Sequence, residues 1–391
     1  MPPTAPRINS SLRIPALDGL RGIAILLVLL WHSLFRTTFL HYPALTRALG
    51  VGRFSWSGVD LFFVLSGFLI GGILLDHRDS PRYFQTFYLR RAYRILPLYF
   101  VVLTLCWITQ LLVRHGWTPF DHVDVFPGTV PWWSFFTFTQ NLAVAITGGT
   151  SRGGLGVTWS LAIEEQFYLT LPFLLRRIAP RNLIYLLAAI IGGVPILRAF
   201  VIQHWSRGAE VAYVLTPTRG DALALGVLCA VLVRNETAWR YLLAYRAWIY
   251  ATLASLGLCI AFMTWREFPF FNRAFYGMEF SILAFLYTAL LLVAVTGNYQ
   301  GNGQKDGKFV RAVLCNPQLM KLGTVAYGTY LLHFIMIDLA RFLLTYHRPN
   351  SPAIAFIGAD VLGIAGAVAL ATASWRYFEK PLVRRGHAYD Y

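Results

Sequence analysis

The chain has 391 residues, of which 57% are hydrophobic and 13% charged, with a formal net charge of +16. Soluble domains carry about 25% charged residues, so a water-soluble core is excluded; apolar runs from end to end point to an all-α polytopic membrane protein. In such a protein the positive charge belongs to basic cytoplasmic loops, and nucleic acid is not an expected partner. The four cysteines, Cys106, Cys229, Cys259 and Cys315, show no metal-ligand spacing and imply neither a metal site nor a disulfide framework. The first apolar run is too long for a cleavable signal peptide and is interrupted by Arg21.

About ten transmembrane helices in one bundle with short loops are expected, over 14–35, 57–76, 92–113, 157–177, 183–203, 217–234, 243–263, 276–297, 318–346 and 353–378. Each is near the roughly 20 residues that cross the hydrocarbon core. Taken together they make one ten-helix domain, 13–385, between tails 1–12 and 386–391, with no fused soluble domain. Arg78, Arg82, Arg90, Arg91, Arg94, Arg176, Arg177, Arg181, Arg234, Arg240, Arg246, Lys305, Lys308, Arg311, Lys380, Arg384 and Arg385 fall on one side. Fewer basic residues fall on the other, among them Arg36, Arg47, Arg53, Arg152 and Arg207. The positive-inside rule therefore predicts both termini in the cytoplasm, in an inner (plasma) membrane. Gly297–Lys308 reads as a flexible cytoplasmic loop.

The first span, LDGLRGIAILLVLLWHSLF, carries Asp18, Arg21 and His32. Ionisable groups at bilayer depth are costly and point to function. Arg21 and His32 are nearly three helical turns apart, which predicts a shared face about 16 Å long, with Asp18 one turn before Arg21. Anchoring at the headgroups is the bland alternative. In the second span, Asp60 and Gly67 share a face, and Ser66, Gly67, Gly71 and Gly72 admit either a ligand or a neighbouring helix. The run FYLRRAYRILPLYF puts Arg91 and Arg94 on one side of a helix beside Tyr93 and Tyr99. Such forked cations suit phosphate and adenine, and plain membrane anchoring also fits.

The long segment from Arg114 to Gly156 holds PWWSFFTFTQN. Trp132 and Trp133 suit an interfacial belt, and the length suggests a re-entrant or capping element. The fourth span opens with Trp159 and carries Glu164 and Tyr168 on one face, with Glu165 turned about 100° away. Arg219 and Asp221 sit at the mouth of the sixth span; Tyr327, Tyr330 and His333 form one stripe in the ninth; Glu379 closes the tenth.

In order, DGLRG with ten residues between Arg21 and His32, GVDLFFVLSGF, YLRRAYRILPLY, TWSLAIEEQFYL, TRGDALALG, AYGTYLLH and FEKP resemble the acyltransferase family 3 membrane proteins, related to O-antigen and exopolysaccharide acetylases. The resemblance covers about residues 13–385. It implies a ten-helix domain that takes an acyl group, commonly acetyl, from cytoplasmic acyl-coenzyme A as co-substrate, with no bound cofactor, and passes it to a hydroxyl of a surface glycan or lipid-linked glycan acceptor. It also implies an essential pair in His32 and Arg21 and an arginine motif in Arg91 and Arg94. The chain departs from the family pattern in two places. The soluble domain that some members carry after the tenth helix is not expected here, and Ile335 stands where many have proline.

A hydroxyl attacking a thioester needs a base, an oxyanion stabiliser and a held donor. His32 suits the base, Arg21 a fixed cation, and Glu164 a partner orienting the imidazole. The donor site would draw on Arg91, Arg94, Tyr99, Ser66 and Gly67. Asp18, Asp60, Trp159, Tyr168, Arg219, Asp221, Tyr330 and His333 are further candidates. A covalent acyl-histidine remains open beside direct transfer. A polytopic transporter or flippase of a lipid-linked saccharide is the alternative class, although no internal repeat supports it.

Overall fold

The structure, a computed structural model, describes residues 14–35, 50–115, 130–148, 154–265, 276–297, 307–345 and 353–391. Arg36, Arg47, Arg152, Lys305, and parts of the loop after Gly297 and of the segment after Arg114 lie outside them. Among the described residues there are ten long helices: α1 (Pro15–Leu30), α2 (Gly58–Asp76), α3 (Tyr83–Arg114), α4 (Trp159–Arg177), α5 (Pro180–His204), α6 (Gly220–Arg234), α7 (Arg246–Trp265), α8 (Tyr276–Gly297), α9 (Ala326–Thr345) and α10 (Ala353–Ser374). No strand occurs among the described residues. The protein is an all-α, multi-pass membrane protein: backbone groups in hydrocarbon must be paired within the segment, which helices achieve.

Among the described residues eight helices are long and apolar enough to cross a membrane, or nine if the short helix Gly208–Val214 and Pro217–Arg234, bent by 77°, form one span. The remaining expected span, α4, is a regular helix, but Glu164, Glu165, Arg176 and Arg177 fall within its 19 residues and lower its apolar character. α3 starts at Tyr83, ahead of the expected 92, so Arg90, Arg91 and Arg94 all stand well inside a 32-residue helix.

Two compact units emerge. The first comprises residues 1–27, 49–79 and 167–324, and the second 28–48, 80–166 and 325–391. In the first, α2 packs along α6, and glycines permit the approach. A Cβ on Gly67 would lie 2.1 Å from the Leu223 carbonyl oxygen, and one on Gly226 would lie 2.2 Å from that of Val64. Small residues let helix backbones come together where no hydrophobic effect drives helices into contact. Gly67 is therefore a packing glycine. In the second unit, α9 packs along α10.

Two helices change pitch at chemically loaded positions. A π-turn, Trp31–Phe35, follows α1 and carries His32. Another, Trp375–Glu379, follows α10 and ends at Glu379. Such turns are rare and concentrate at functional sites. The first also interrupts the 3.6-residue register on which a common face for Arg21 and His32 was predicted.

Candidate functional site

In the first unit two intramembrane acids are matched by arginines. Asp60 and Arg219 are each 1% exposed and pair at 2.6 Å. The Arg219 guanidinium lies 4.1 Å from the Phe280 ring centroid and 5.5 Å from that of Tyr213. Arg198, fully buried, grips Asp221 with two bonds of 2.9 and 2.6 Å. It also donates to the carbonyls of Gly277 and Thr218 at 2.8 and 2.7 Å and to the Ser281 hydroxyl. Arginine provides a planar fork that fits a carboxylate bidentately. Arg198 escaped the sequence reading, yet an arginine inside the apolar run IIGGVPILRAF is a legible signal. Asp18 and Arg21 pair at 3.1 Å and remain partly exposed. Ser66 Oγ and the Tyr168 hydroxyl lie 2.7 Å apart.

The second unit holds a histidine pair. His333 Nε2 lies 3.2 Å from His32 Nδ1, and the ring centroids are 5.0 Å apart. His333 is fully buried. Its Nδ1 lies 2.7 Å from the Tyr330 carbonyl oxygen, and His32 Nδ1 lies 3.0 Å from that of Val28. Phe334 meets the His32 ring edge-on at 5.6 Å. Tyr330 is anchored in turn: its hydroxyl donates to the Val157 carbonyl at 2.7 Å and accepts from Ser160 Oγ at 2.6 Å. This bond ties α9 to the start of α4, beside half-buried Trp159.

The arginine face of α3 belongs to the same unit. Arg91 acts electrostatically on Glu165, which also feels Glu164; Arg94 acts on Glu379. Glu165 is half-buried, and its buried Oε1 has no hydrogen-bond partner among the described residues. Ser374 donates to Glu379 Oε1 at 2.8 Å. Tyr327, whose hydroxyl donates to the Ile95 carbonyl at 2.7 Å, feels all three carboxylates. Glu164 thus stands in a cluster of carboxylates, arginines and tyrosine. Arg90 is engaged by the C-terminal residues: it donates twice to the Tyr389 carbonyl, at 2.9 and 2.6 Å, and lies 5.0 Å from the Tyr391 ring centroid. Burial pushes the Tyr391 phenol above its ordinary value, while Arg91 and Arg90 pull it down.

Tyr99 is 1% exposed and donates to the Phe135 carbonyl at 2.8 Å. Its ring stacks on Phe138 at 4.8 Å. Phe138 adopts φ 52°, a left-handed conformation that is costly for a non-glycine residue. Its carbonyl accepts from Gln166 Nε2 at 2.8 Å, and Gln166 also donates to Asn141 Oδ1 at 2.9 Å. The described part of the expected capping segment is therefore folded, with Gln140 and Asn141 buried, and Tyr99 is a strut of it.

A multi-pass helical membrane protein with a histidine pair, one ring of it buried, and an arginine-bearing helix is the class that these observations define. Comparison with known sequences makes it particular. The profile of the acyltransferase domain family matches residues 14–376, and the chain belongs to that family. It is 29% identical over 398 residues to YrhL of Bacillus subtilis, named as a candidate peptidoglycan O-acetyltransferase, covering 95% of this chain and 55% of that one. It is 26% identical over 401 residues to the peptidoglycan O-acetyltransferase OatA of Listeria monocytogenes, covering 95% and 56%. A candidate O-acetyltransferase of Staphylococcus aureus shares 27% over 391 residues, covering 95% and 58%. The chain thus spans little more than half the length of these relatives. No solved structure matches.

Proposed function

We propose that the protein is an integral membrane O-acetyltransferase that moves an acetyl group from acetyl-coenzyme A to a hydroxyl of a cell-envelope glycan. The acceptor named for its relatives, peptidoglycan, is the first candidate. The observation that carries the reading is the histidine pair. A carbonyl oxygen cannot donate, so the Val28 contact assigns the His32 proton to Nδ1 and leaves the lone pair on Nε2, where a general base needs it. As the acceptor oxygen bonds to the thioester carbon, its proton passes to Nε2. The carbon–sulfur bond then breaks, and the proton is returned to the departing thiolate, giving ester and free thiol. Direct transfer and a transient acyl-histidine both use Nε2.

Arg91 and Arg94 are proposed to hold the donor's phosphates. Arg21, paired with Asp18, keeps a fixed positive charge in α1. Both termini are placed in the cytoplasm, on the arginine asymmetry of the loops. The test uses sealed membrane vesicles containing the protein, radiolabelled acetyl-coenzyme A outside and peptidoglycan fragments as acceptor. Ester-linked label on the glycan, dependent on the protein, is expected. Donor left intact with every hydroxyl acceptor offered would contradict the reading.

A further inference from the structure

We propose that His333 is the positioning residue for His32, fixing its tautomer and sharing the charge it acquires. The inference rests on the acyltransfer reading and extends it. A neutral imidazole carries one N–H. The carbonyls of Tyr330 and Val28, at 2.7 and 3.0 Å, assign that proton to Nδ1 in both rings. His333 Nε2 is then an acceptor, and it lies 3.2 Å from His32 Nδ1–H, which is shared between it and Val28. The opposite tautomer of His32 would set its Nδ1 lone pair against two other lone pairs, the Val28 oxygen and His333 Nε2. The two acceptors together hold the reactive nitrogen as Nε2.

In the familiar arrangement a carboxylate occupies this place. Here the acceptor is neutral and buried. When Nε2 of His32 takes the acceptor's proton, positive charge appears on a ring whose Nδ1–H already points at a lone pair, so the hydrogen bond strengthens as the charge forms. No bond breaks in His333. It touches no substrate, and its effect falls on the chemical step rather than on binding. Ser160 and Tyr330 keep it in place, since the Tyr330 bonds fix the helical turn whose carbonyl orients His333.

The experiment compares His333→Phe with His333→Gln in the vesicle assay, at matched protein level and with acetyl-coenzyme A binding measured separately. Glutamine places an amide oxygen near the position of Nε2 and can accept from His32; phenylalanine fills similar space and cannot. The expected result is a fall of about 10² in kcat for His333→Phe, unchanged KM for the donor, and recovery to within several-fold of wild type for His333→Gln. Wild-type kcat in His333→Phe would overturn the proposal. So would equal inactivity of both variants with normal level and donor binding, because that is the signature of packing alone. The underlying reading is checked apart from this: if the wild-type protein transfers no acetyl group, acyltransfer fails, whatever the His333 variants do.

Discussion

The two units differ in the polar groups that their helices bury. In the first, two intramembrane acids meet an arginine, Asp60 with Arg219 and Asp221 with Arg198, while Glu279 of α8 is buried with no hydrogen-bond partner for its Oε2 among the described residues. Arginine does not titrate in proteins, so these pairs are fixed and hold α2, α5, α6 and α8 in register. In the second, one such pair recurs, Arg341 with Asp360, and there are in addition two paired imidazoles and a set of carboxylates near Arg91 and Arg94. Imidazole and carboxylate, unlike guanidinium, are side chains that can take up or release a proton. The lesson is that charge at membrane depth does not by itself mark a reaction site. What marks it is a titratable pair that is oriented but not neutralised.

The largest expected effect breaks the first half of this contrast. Arg198→Ala leaves Asp221 buried without its cation and should destabilise the protein by about 3–5 kcal/mol, read as thermal unfolding in detergent. Replacing both partners, Arg198→Met with Asp221→Leu, should recover most of that loss, since an apolar pair can match a buried ion pair. Full stability of Arg198→Ala with lost transfer would move this pair into the reaction site instead.

Next in size, Arg91→Ala or Arg94→Ala should weaken acetyl-coenzyme A binding by about 1.5–3 kcal/mol, the scale of a charged hydrogen bond, and affinity should fall with added salt. Arg90→Ala should change it less, because its guanidinium already serves Tyr389 and Tyr391. Gly67→Ala puts a methyl against the Leu223 carbonyl and should cost about 1–3 kcal/mol of stability with donor KM unchanged. A raised KM at normal stability would restore Gly67 to the donor site. The smallest effect is expected of Ser160→Ala, about 1 kcal/mol for one lost hydrogen bond.

Much of the fold was legible because apolar length and arginine placement are local signals. Each of the ten ranges overlies a helix, and α4 departs from the span count for a local reason, its four charges. His32, His333, Asp60 and Arg219 were all visible as polar residues in apolar runs. Their pairing was not, since His32 and His333 are 301 positions apart and Asp60 and Arg219 are 159 apart. Helical periodicity carries no information on which helices meet. Glu164 was expected to orient His32 on chemical grounds; His333, a neighbour of the Nδ1 edge, was not expected there. The π-turns at His32 and Glu379 were also hidden, because a one-residue change of pitch leaves no mark in hydropathy.

The account stands most directly on His32. The decisive measurement is the acetyl-transfer kcat of His32→Ala per donor-binding molecule, in vesicles with the native glycan. The account predicts normal insertion, near-normal acetyl-coenzyme A affinity and a rate lower by about 10²–10⁴. Transfer close to wild type at equal protein level would contradict it, and the histidine pair would then be a helix-packing contact.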